Sequence, residues 1–215
     1  MVKIERLIKI IKYIFKSMMC ILYPNDNRCI VCKSEDIEGI CKRCYKDITK
    51  CDKKDELCIG YYRGVLKELI INLKYKNDFE SGDVLVGLIE DKFNEISKEY
   101  YLTFIPISKN SLKNRGYNQC EYIAKELGFR KGFNVIETLK RVKETKIQKQ
   151  LTKEERQINI YNAFGVIDKS KIEGKKFILI DDVVTTGCTI NEGIRVLKEN
   201  GAIDVKIAIL AKAYI

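Results

Sequence analysis

The chain has 215 residues, 46% hydrophobic and 33% charged, a balance typical of a globular protein with one well-packed domain and a small appendage. The 40 Lys and Arg residues against 30 Asp and Glu give a net charge of +10, which favours polyanionic partners such as nucleic acid, anionic lipid or phosphorylated metabolites without choosing among them. The complete lack of histidine excludes Ser-His and Cys-His catalysis and every His-containing metal site.

The first predicted unit is a basic amphipathic helix over residues 1–24. Its apolar residues are interrupted by Glu5, Lys9, Lys12 and Lys16, so no uncharged stretch approaches the roughly 20 residues that a membrane span needs. We expect this helix to pack against the chain's own domain, with a position on a membrane surface as the alternative. The expected location is the cytoplasm, with peripheral contact at the inner face of the membrane under that alternative.

The second unit, residues 25–60, contains two C-x2-C pairs in the segment CIVCKSEDIEGICKRC. Each pair can aim two thiolates at one ion, and the short loop between them lets four sulfurs surround it in a closed tetrahedron. The spacing predicts a structural zinc knuckle, with iron as the chemical alternative and buried thiols or a redox pair as the non-metal reading. The predicted ligands are Cys29, Cys32, Cys41 and Cys44.

The remaining cysteines do not complete a second metal site of this kind. Cys51 and Cys58 could form a weaker pair, but no further pair accompanies them, so we expect them to be packing residues, like Cys20 and Cys120. Nine cysteines, an odd number, fit metal ligation in a reducing compartment better than a disulfide framework.

The third unit, residues 61–215, is predicted to be an α/β domain with a parallel sheet, because strand and helix patterns alternate through its second half. The predicted elements are helices within 64–99, a strand at 101–107, a basic loop at 108–120, a helix at 121–129, a strand near 134–142, a charged segment with a short helix around TKEERQIN, a strand at 177–183, a helix from about Thr189 and a strand at 204–213.

The segment FILIDDVVTTGCT, at 177–189, points to a ligand site. A buried apolar strand leads into Asp181 and Asp182, and a Thr/Gly loop follows before a helix. Turn formation alone explains such acids poorly, because ligands of open α/β sheets bind beyond the carboxyl ends of strands, where a helix N-terminus can hold a phosphate. Hard cations such as Mg²⁺ also prefer carboxylate and phosphate oxygens.

This segment resembles the motif with which type I phosphoribosyltransferases bind 5-phosphoribosyl 1-pyrophosphate (PRPP). Together with the cysteine knuckle, YYRGVLKELIINLKYK, the PIS…RGYNQ…IAKEL stretch at 106–127 and ERQINIYNAF at 155–164, it resembles the ComF family of competence-related proteins. The resemblance covers roughly residues 28–213. It implies a phosphoribosyltransferase-like parallel sheet flanked by helices, with the small zinc knuckle at its N-terminal side.

The resemblance also implies roles for particular residues. Asp181 and Asp182 would contact the ribose hydroxyls of PRPP, directly or through Mg²⁺. The 5′-phosphate would be held by the loop Thr185, Thr186, Gly187, Cys188 and Thr189. The pyrophosphate loop would be Pro106, Ile107 and Ser108. The charged segment 140–156 resembles a loop that closes over the active site. The candidate lid or nucleic-acid contacts are Lys143, Lys146 and Lys149 of that segment and Arg115, which lies just beyond the pyrophosphate loop.

Two residues depart from the pattern of many type I enzymes. Thr185 stands where enzymes that act on purine bases carry an acid, and Cys188 stands where a small residue such as Ala is more usual. No catalytic residue is therefore assigned, and it stays open whether the chain is an enzyme.

Three functions fit the sequence. The resemblance favours a PRPP-binding protein that acts in DNA uptake during natural transformation, binds single-stranded DNA and works with other competence or DNA-uptake proteins. Aromatic and cationic side chains alternate near the start of the third unit, as on a surface that stacks nucleic-acid bases, although a solvated helix face with core tyrosines shows the same pattern. These residues are Tyr61, Tyr62, Tyr75, Arg63, Lys67 and Lys74. The alternatives are a phosphoribosyltransferase with an unknown acceptor and a regulator that senses PRPP without turnover.

Overall fold

A computed structural model describes residues 27–51, 57–143 and 160–213. Short 3₁₀ turns lie at Glu90–Phe93 and Lys169–Lys171. In chain order the helices and strands are α1 (Lys42–Lys46), β1 (Cys58–Tyr61), α2 (Gly64–Lys76), α3 (Phe79–Ile89), β2 (Tyr100–Phe104), α4 (Lys109–Arg115), α5 (Gln119–Lys131), β3 (Leu139–Arg141), β4 (Phe164–Val166), β5 (Lys176–Val184), α6 (Cys188–Glu199) and β6 (Asp204–Lys212).

The centre of the fold is a four-stranded sheet in the order β1-β6-β5-β2, in which every neighbouring pair is parallel. This confirms the predicted α/β class. In the register, Ile178 of β5 lies between Leu102 of β2 and Lys206 of β6. Because the strands run the same way, their carboxyl ends meet at one edge of the sheet, where loops from several strands converge.

Both faces of the sheet are covered, which explains why β5 reads as a continuous apolar run and not as an alternating one. Ile178 and Ile180 belong to a core that they share with α2, α3 and α5. Phe177 and Leu179 belong to a second core, formed with α6 and the antiparallel pair β3–β4. Side chains alternate between the faces along a strand, so residues 181 and 182 continue these two directions.

The cysteine-rich segment is joined to the first of these cores. Its buried residues Cys29, Ile30, Cys44 and Ile48 belong to the same apolar cluster as α2, α3 and α5. The knuckle is therefore packed on the α/β body. The strand β1 spans residues on both sides of the expected unit boundary at residue 60, and it pairs with β6 at the edge of the sheet.

Several elements differ from the sequence prediction in their bounds. The basic loop predicted at 108–120 contains a helix, α4, because Ser108 caps its start by accepting a hydrogen bond from the Ser111 N–H (3.0 Å) and Gly116 ends it in the left-handed region. The strand predicted near 134–142 is divided: Val135 bridges Leu102 of β2, whereas Leu139–Arg141 pairs with β4.

The strand predicted at 177–183 is β5, which is longer by one residue at each end. It continues through Asp181 and Asp182 to Val184, still paired with β6. The predicted N-terminal helix, the short helix around TKEERQIN and most of the charged segment 140–156 lie outside the described residues. None of the helices in the described ranges is long and apolar enough to cross a bilayer.

Candidate functional site

The two acids near the end of β5 have different surroundings, although they are neighbours in sequence. Both are buried, with 8% of Asp181 and 5% of Asp182 exposed. Asp182 continues the face of Ile178 and Ile180, towards α2 and α5. Asp181 lines a small concavity together with residues 183–190, the end of β5 and the loop into α6.

Three donors converge on the Asp182 carboxylate. The Lys74 Nζ, from α2, lies 2.5 Å from its Oδ2, and the Gln119 Nε2, at the start of α5, donates to the same oxygen at 2.7 Å. The Val183 N–H donates to Oδ1 at 2.6 Å. Burial alone would raise the pKa of Asp182, but the Lys74 charge and the hydrogen bonds from Lys74 and Gln119 lower it below its usual value.

The ammonium of Lys74 is itself withdrawn from water, with 16% of its side chain exposed. Burial by itself disfavours its charge, but the adjacent Asp182 carboxylate outweighs burial, so the pKa of Lys74 is raised. The sequence left two interpretations of Lys74 open, a surface that stacks nucleic acid or a solvated helix face. Neither describes this residue, because its amino group is mostly buried and paired with Asp182.

The orientation of Gln119 is set by a second residue. Arg115, at the end of α4, donates from Nη1 to the Gln119 Oε1 at 2.8 Å, which leaves the Gln119 amino group to donate to Asp182. The Arg115 guanidinium also stacks on the Tyr75 ring, 4.9 Å from its centroid. A chain of contacts thus connects Tyr75, Arg115, Gln119, Asp182 and Lys74.

The described contacts of Asp181 include no cation, and its pKa is shifted in the opposite direction from the pKa of Asp182. Its Oδ1 accepts a hydrogen bond from the Asp182 N–H (2.9 Å) and lies 3.7 Å from the Cys120 Sγ. Burial, followed by the negative charge of Asp182, raises the pKa of Asp181 from 3.8 to about 7. Burial likewise raises the pKa of the Cys120 thiol well above its usual value.

Cys120, Asp181 and Asp182 form a group whose ligand atoms lie within 4.8 Å of one another. This group fits Mg²⁺ poorly. A buried protonated thiol is not a ligand that a hard cation prefers, and the charge of Asp182 is already paired with Lys74. Mg²⁺ at this edge of the sheet would have to be held mainly by the oxygens of a bound ligand.

The loop after β5 leads into α6 without a side-chain cap. Gly187 occupies the N-cap position with φ +79°, a conformation that favours glycine, and as a residue without a side chain it makes no side-chain cap hydrogen bond. The first turn of α6 lines the concavity together with Asp181 and the end of β5, and the N–H groups at a helix start are suited to hold an anion. The Thr186 hydroxyl donates to the Cys188 Sγ at 3.1 Å, so both side chains lie at this turn.

The loop after β2 is tied to the same site through Asn118. Pro106, Ile107 and Ser108 follow Ile105, whose carbonyl oxygen accepts a hydrogen bond from the Asn118 Nδ2 at 2.9 Å. The Asn118 Oδ1 caps α5 by accepting from the Cys120 N–H, also at 2.9 Å. Because Gln119 follows directly and bonds to Asp182, the loop at 106–108 and the acids are held in one arrangement.

The basic residues that were candidates for a lid are placed as follows. Arg115 belongs to the contact chain of Asp182 described above. Lys143 is exposed at the end of the second described range, whereas Lys146 and Lys149 lie outside the described residues. The described residues on the two sides of 144–159 lie close together, since the Val142 N–H donates to the Ala163 carbonyl at 2.9 Å.

Sequence reasoning missed the buried Glu192 on α6. Its Oε1 accepts hydrogen bonds from the Asn162 N–H and from Arg195 Nη2, both at 2.8 Å. The Arg195 guanidinium also donates to the Asn162 Oδ1 at 2.9 Å and lies over the Tyr161 ring. These contacts attach residues 160–163 to α6, the helix that follows the loop 185–187. An acid within a helix carries no sequence signal for such a role.

The four predicted metal ligands of the knuckle are brought together. All four sulfurs lie within 4.8 Å of one another, with Cys29–Cys44 and Cys32–Cys41 separations of 3.8 and 3.6 Å. Four thiolates around one zinc ion at the usual Zn–S distance are about 3.8 Å apart, so the arrangement fits a tetrahedral ion. Two backbone N–H groups, of Cys41 and Cys44, also point at cysteine sulfurs at 3.4 Å.

Residues 111–214 match the family model of the phosphoribosyl transferase domain. The chain is 30% identical to competence protein F of Haemophilus influenzae, over 80% of this chain and 78% of that protein. It is 28% identical to competence protein ComFC of Streptococcus pneumoniae, over 89% and 90%. It is also 29% identical to DNA utilization protein YhgH of Escherichia coli K12, over 72% and 70%.

Among solved structures, adenine phosphoribosyltransferase of Thermoanaerobacter pseudethanolicus aligns over 64% of this chain and 84% of that chain, with a TM-score of 0.41 and 13% identity. The sequence matches, which cover most of this chain, establish its family. The chain belongs to the ComF family of competence-related proteins.

Proposed function

We propose that this chain binds PRPP at the carboxyl edge of its sheet and acts in DNA uptake. The main support for this proposal is that the buried acids Asp181 and Asp182 lie close to the start of α6, which has no side-chain cap. In this arrangement Asp181 accepts hydrogen bonds from ribose hydroxyls, the loop 185–189 receives the 5′-phosphate, and the loop 106–108 faces the pyrophosphate. Mg²⁺ accompanies the ligand's phosphates. Relatives named competence and DNA utilization proteins support the cellular role.

Calorimetric titration of the zinc-loaded protein with PRPP tests this site. Wild-type protein should bind one PRPP per chain, and Asp181→Asn should weaken binding about 10- to 100-fold, the effect of losing a hydrogen bond to a charged group. Glu95→Gln is the matched control, because Glu95 is exposed and precedes β2 at the opposite end of the sheet. Equal affinities of wild-type and Asp181→Asn protein would contradict the proposed site.

Turnover distinguishes an enzyme from a PRPP-sensing regulator. Thr185 offers no carboxylate to deprotonate an acceptor base, and it is exposed at the loop. We therefore propose that the chain binds PRPP without transferring its phosphoribosyl group to a nucleobase. Release of pyrophosphate from PRPP in the presence of a defined acceptor would instead identify a transferase, and incubation with PRPP alone supplies the background rate.

We further propose that single-stranded DNA binds at the knuckle, because the short helix α1 exposes an aromatic ring among cations. Tyr45 is 48% exposed, and the Lys50 Nζ lies 5.8 Å from its ring centroid. Lys42, Arg43 and Lys46 are exposed on the same helix. A ring on which a base can stack, flanked by cations that can contact phosphates, is the usual composition of a single-strand binding surface.

Fluorescence anisotropy with a labelled oligo-dT across a salt series tests this surface. Tyr45→Ala should weaken binding by about 1–3 kcal/mol, and Lys46→Ala should flatten the slope of log K against log salt by about 0.7. Tyr161→Ala is the control, since Tyr161 is also exposed beside a cation, Arg195, but lies on the phosphoribosyl transferase domain. Affinity that does not depend on salt would contradict the proposal.

A further inference from the structure

The contacts of Lys74 bear on how the acids of the proposed ribose-phosphate site are neutralised. Lys74 lies near the end of α2, directly after Leu73, which is buried in the core. Its Nζ lies 2.5 Å from the Asp182 Oδ2. With 16% and 7% of their side chains exposed, the two charged groups form a nearly buried ion pair.

A buried carboxylate needs a compensating charge, which can come from a side chain or from a metal ion. Here the compensating charge comes from a side chain of the protein, Lys74. The Asp182 Oδ2 receives Lys74 and Gln119, and Oδ1 receives the Val183 N–H. A divalent cation on Asp182 would add a second positive charge beside Lys74, and the two like charges would repel in a site that excludes most water.

We propose that Lys74 is a positioning residue that serves as the resident counter-cation of Asp182, in the place where a divalent ion would otherwise be bound. It holds Asp182 ionised and oriented without a metal ion. Divalent ions then reach the site only with a phosphorylated ligand. This inference rests on the proposed function for its relevance to PRPP, but the pairing itself is testable without any phosphorylated ligand.

The test is a Mn²⁺ titration of zinc-loaded protein in the absence of PRPP, with free Mn²⁺ measured by electron paramagnetic resonance. We expect no Mn²⁺ site on Asp182 in the wild-type chain. The variant Lys74→Met, which removes the charge but keeps the apolar stem, should gain one Mn²⁺ site per chain. The double variant Lys74→Met/Asp182→Asn should lose that site again. Lys67→Met, an exposed lysine on the same helix, should behave like the wild type.

Thermal unfolding gives a second readout if Lys74→Met folds poorly. Saturating Mn²⁺ should raise the Tm of Lys74→Met by at least about 5 °C and leave the Tm of wild-type and Lys67→Met protein unchanged. Lys74→Gln, which retains a donor for Asp182, provides an independent variant for the same comparison.

Three results would overturn the inference. The first is a wild-type Mn²⁺ site that Asp182→Asn abolishes, because the ion would then bind alongside Lys74. The second is folded Lys74→Met that gains no Mn²⁺ site. The third is failure of both Lys74 variants to fold with or without Mn²⁺, because a cation could then not replace the lysine. PRPP calorimetry of the wild-type protein decides the proposed function separately, so the two failures are distinguishable.

Discussion

At the scale of single residues, Asp181 and Asp182 show that two identical side chains in adjacent positions can have pKa values shifted in opposite directions. Asp182 points to the helices and meets Lys74 and Gln119, whereas Asp181 points to the concavity and meets no described cation. The pKa of Asp182 is lowered, and that of Asp181 is raised to about 7. The sequence motif predicts an acid pair, but only the folded partners distinguish its two members.

This difference predicts a pH dependence of stability. An Asp whose folded pKa is raised binds its proton more tightly in the native state, so the free energy of unfolding falls as pH rises from about 3.8 towards 7. Asp181→Asn removes this cost, and should stabilise the protein at pH 8 by up to about 4 kcal/mol while changing little at pH 4. Urea unfolding at the two pH values measures it. A variant less stable than wild type at pH 8 would contradict the raised pKa.

At the scale of elements, local pattern predicted much of the α/β body. The hydrophobic pattern predicted two apolar strands and an amphipathic helix, which correspond to β5, β6 and α6. The two C-x2-C pairs predicted the cluster of four cysteines. The prediction missed what depends on tertiary partners. The strand was predicted through both acids, at 177–183, but the pattern did not show that Lys74, more than 100 residues away in sequence, pairs with the buried Asp182 of β5.

The attachment of residues 160–163 to α6 predicts a difference between two glutamates that share Arg195. Glu192→Ala leaves the Asn162 N–H and Arg195 without their buried acceptor, and should cost about 1–3 kcal/mol of unfolding free energy. Glu199→Ala removes only an exposed partner of the same arginine, and should cost less than about 1 kcal/mol. Urea unfolding of both variants makes the comparison, and equal losses would refute the anchoring role of Glu192.

At the scale of the whole molecule, the knuckle and the phosphoribosyl transferase domain share one core. Cys29 and Cys44 are buried in the same cluster as α2, α3 and α5. Zinc bound at the knuckle would therefore stabilise the helices that hold Lys74 and Gln119, as well as the knuckle itself. Sequence spacing could predict that the four cysteines lie together, but not this shared packing, because the packing depends on residues far apart in the chain.

Removal of zinc with a chelator tests this coupling. We expect the main unfolding transition to shift down by about 6–12 °C, as a loss of about 3 kcal/mol would cause in a chain of this size, and to remain a single transition. Calorimetry with and without chelator, alongside a zinc assay, measures the shift. A separate low-temperature transition with an unchanged main one would show that the knuckle folds independently.

We propose that a phosphoribosyl ligand binds at the carboxyl edge of the sheet, with its 5′-phosphate at the start of α6. The response of backbone amide resonances to PRPP in a nitrogen-15-labelled sample tests this proposal. We expect saturable shifts at residues 185–189, with little change at Glu95 or along α1. Unchanged amides at residues 185–189, or shifts confined to the knuckle, would contradict it.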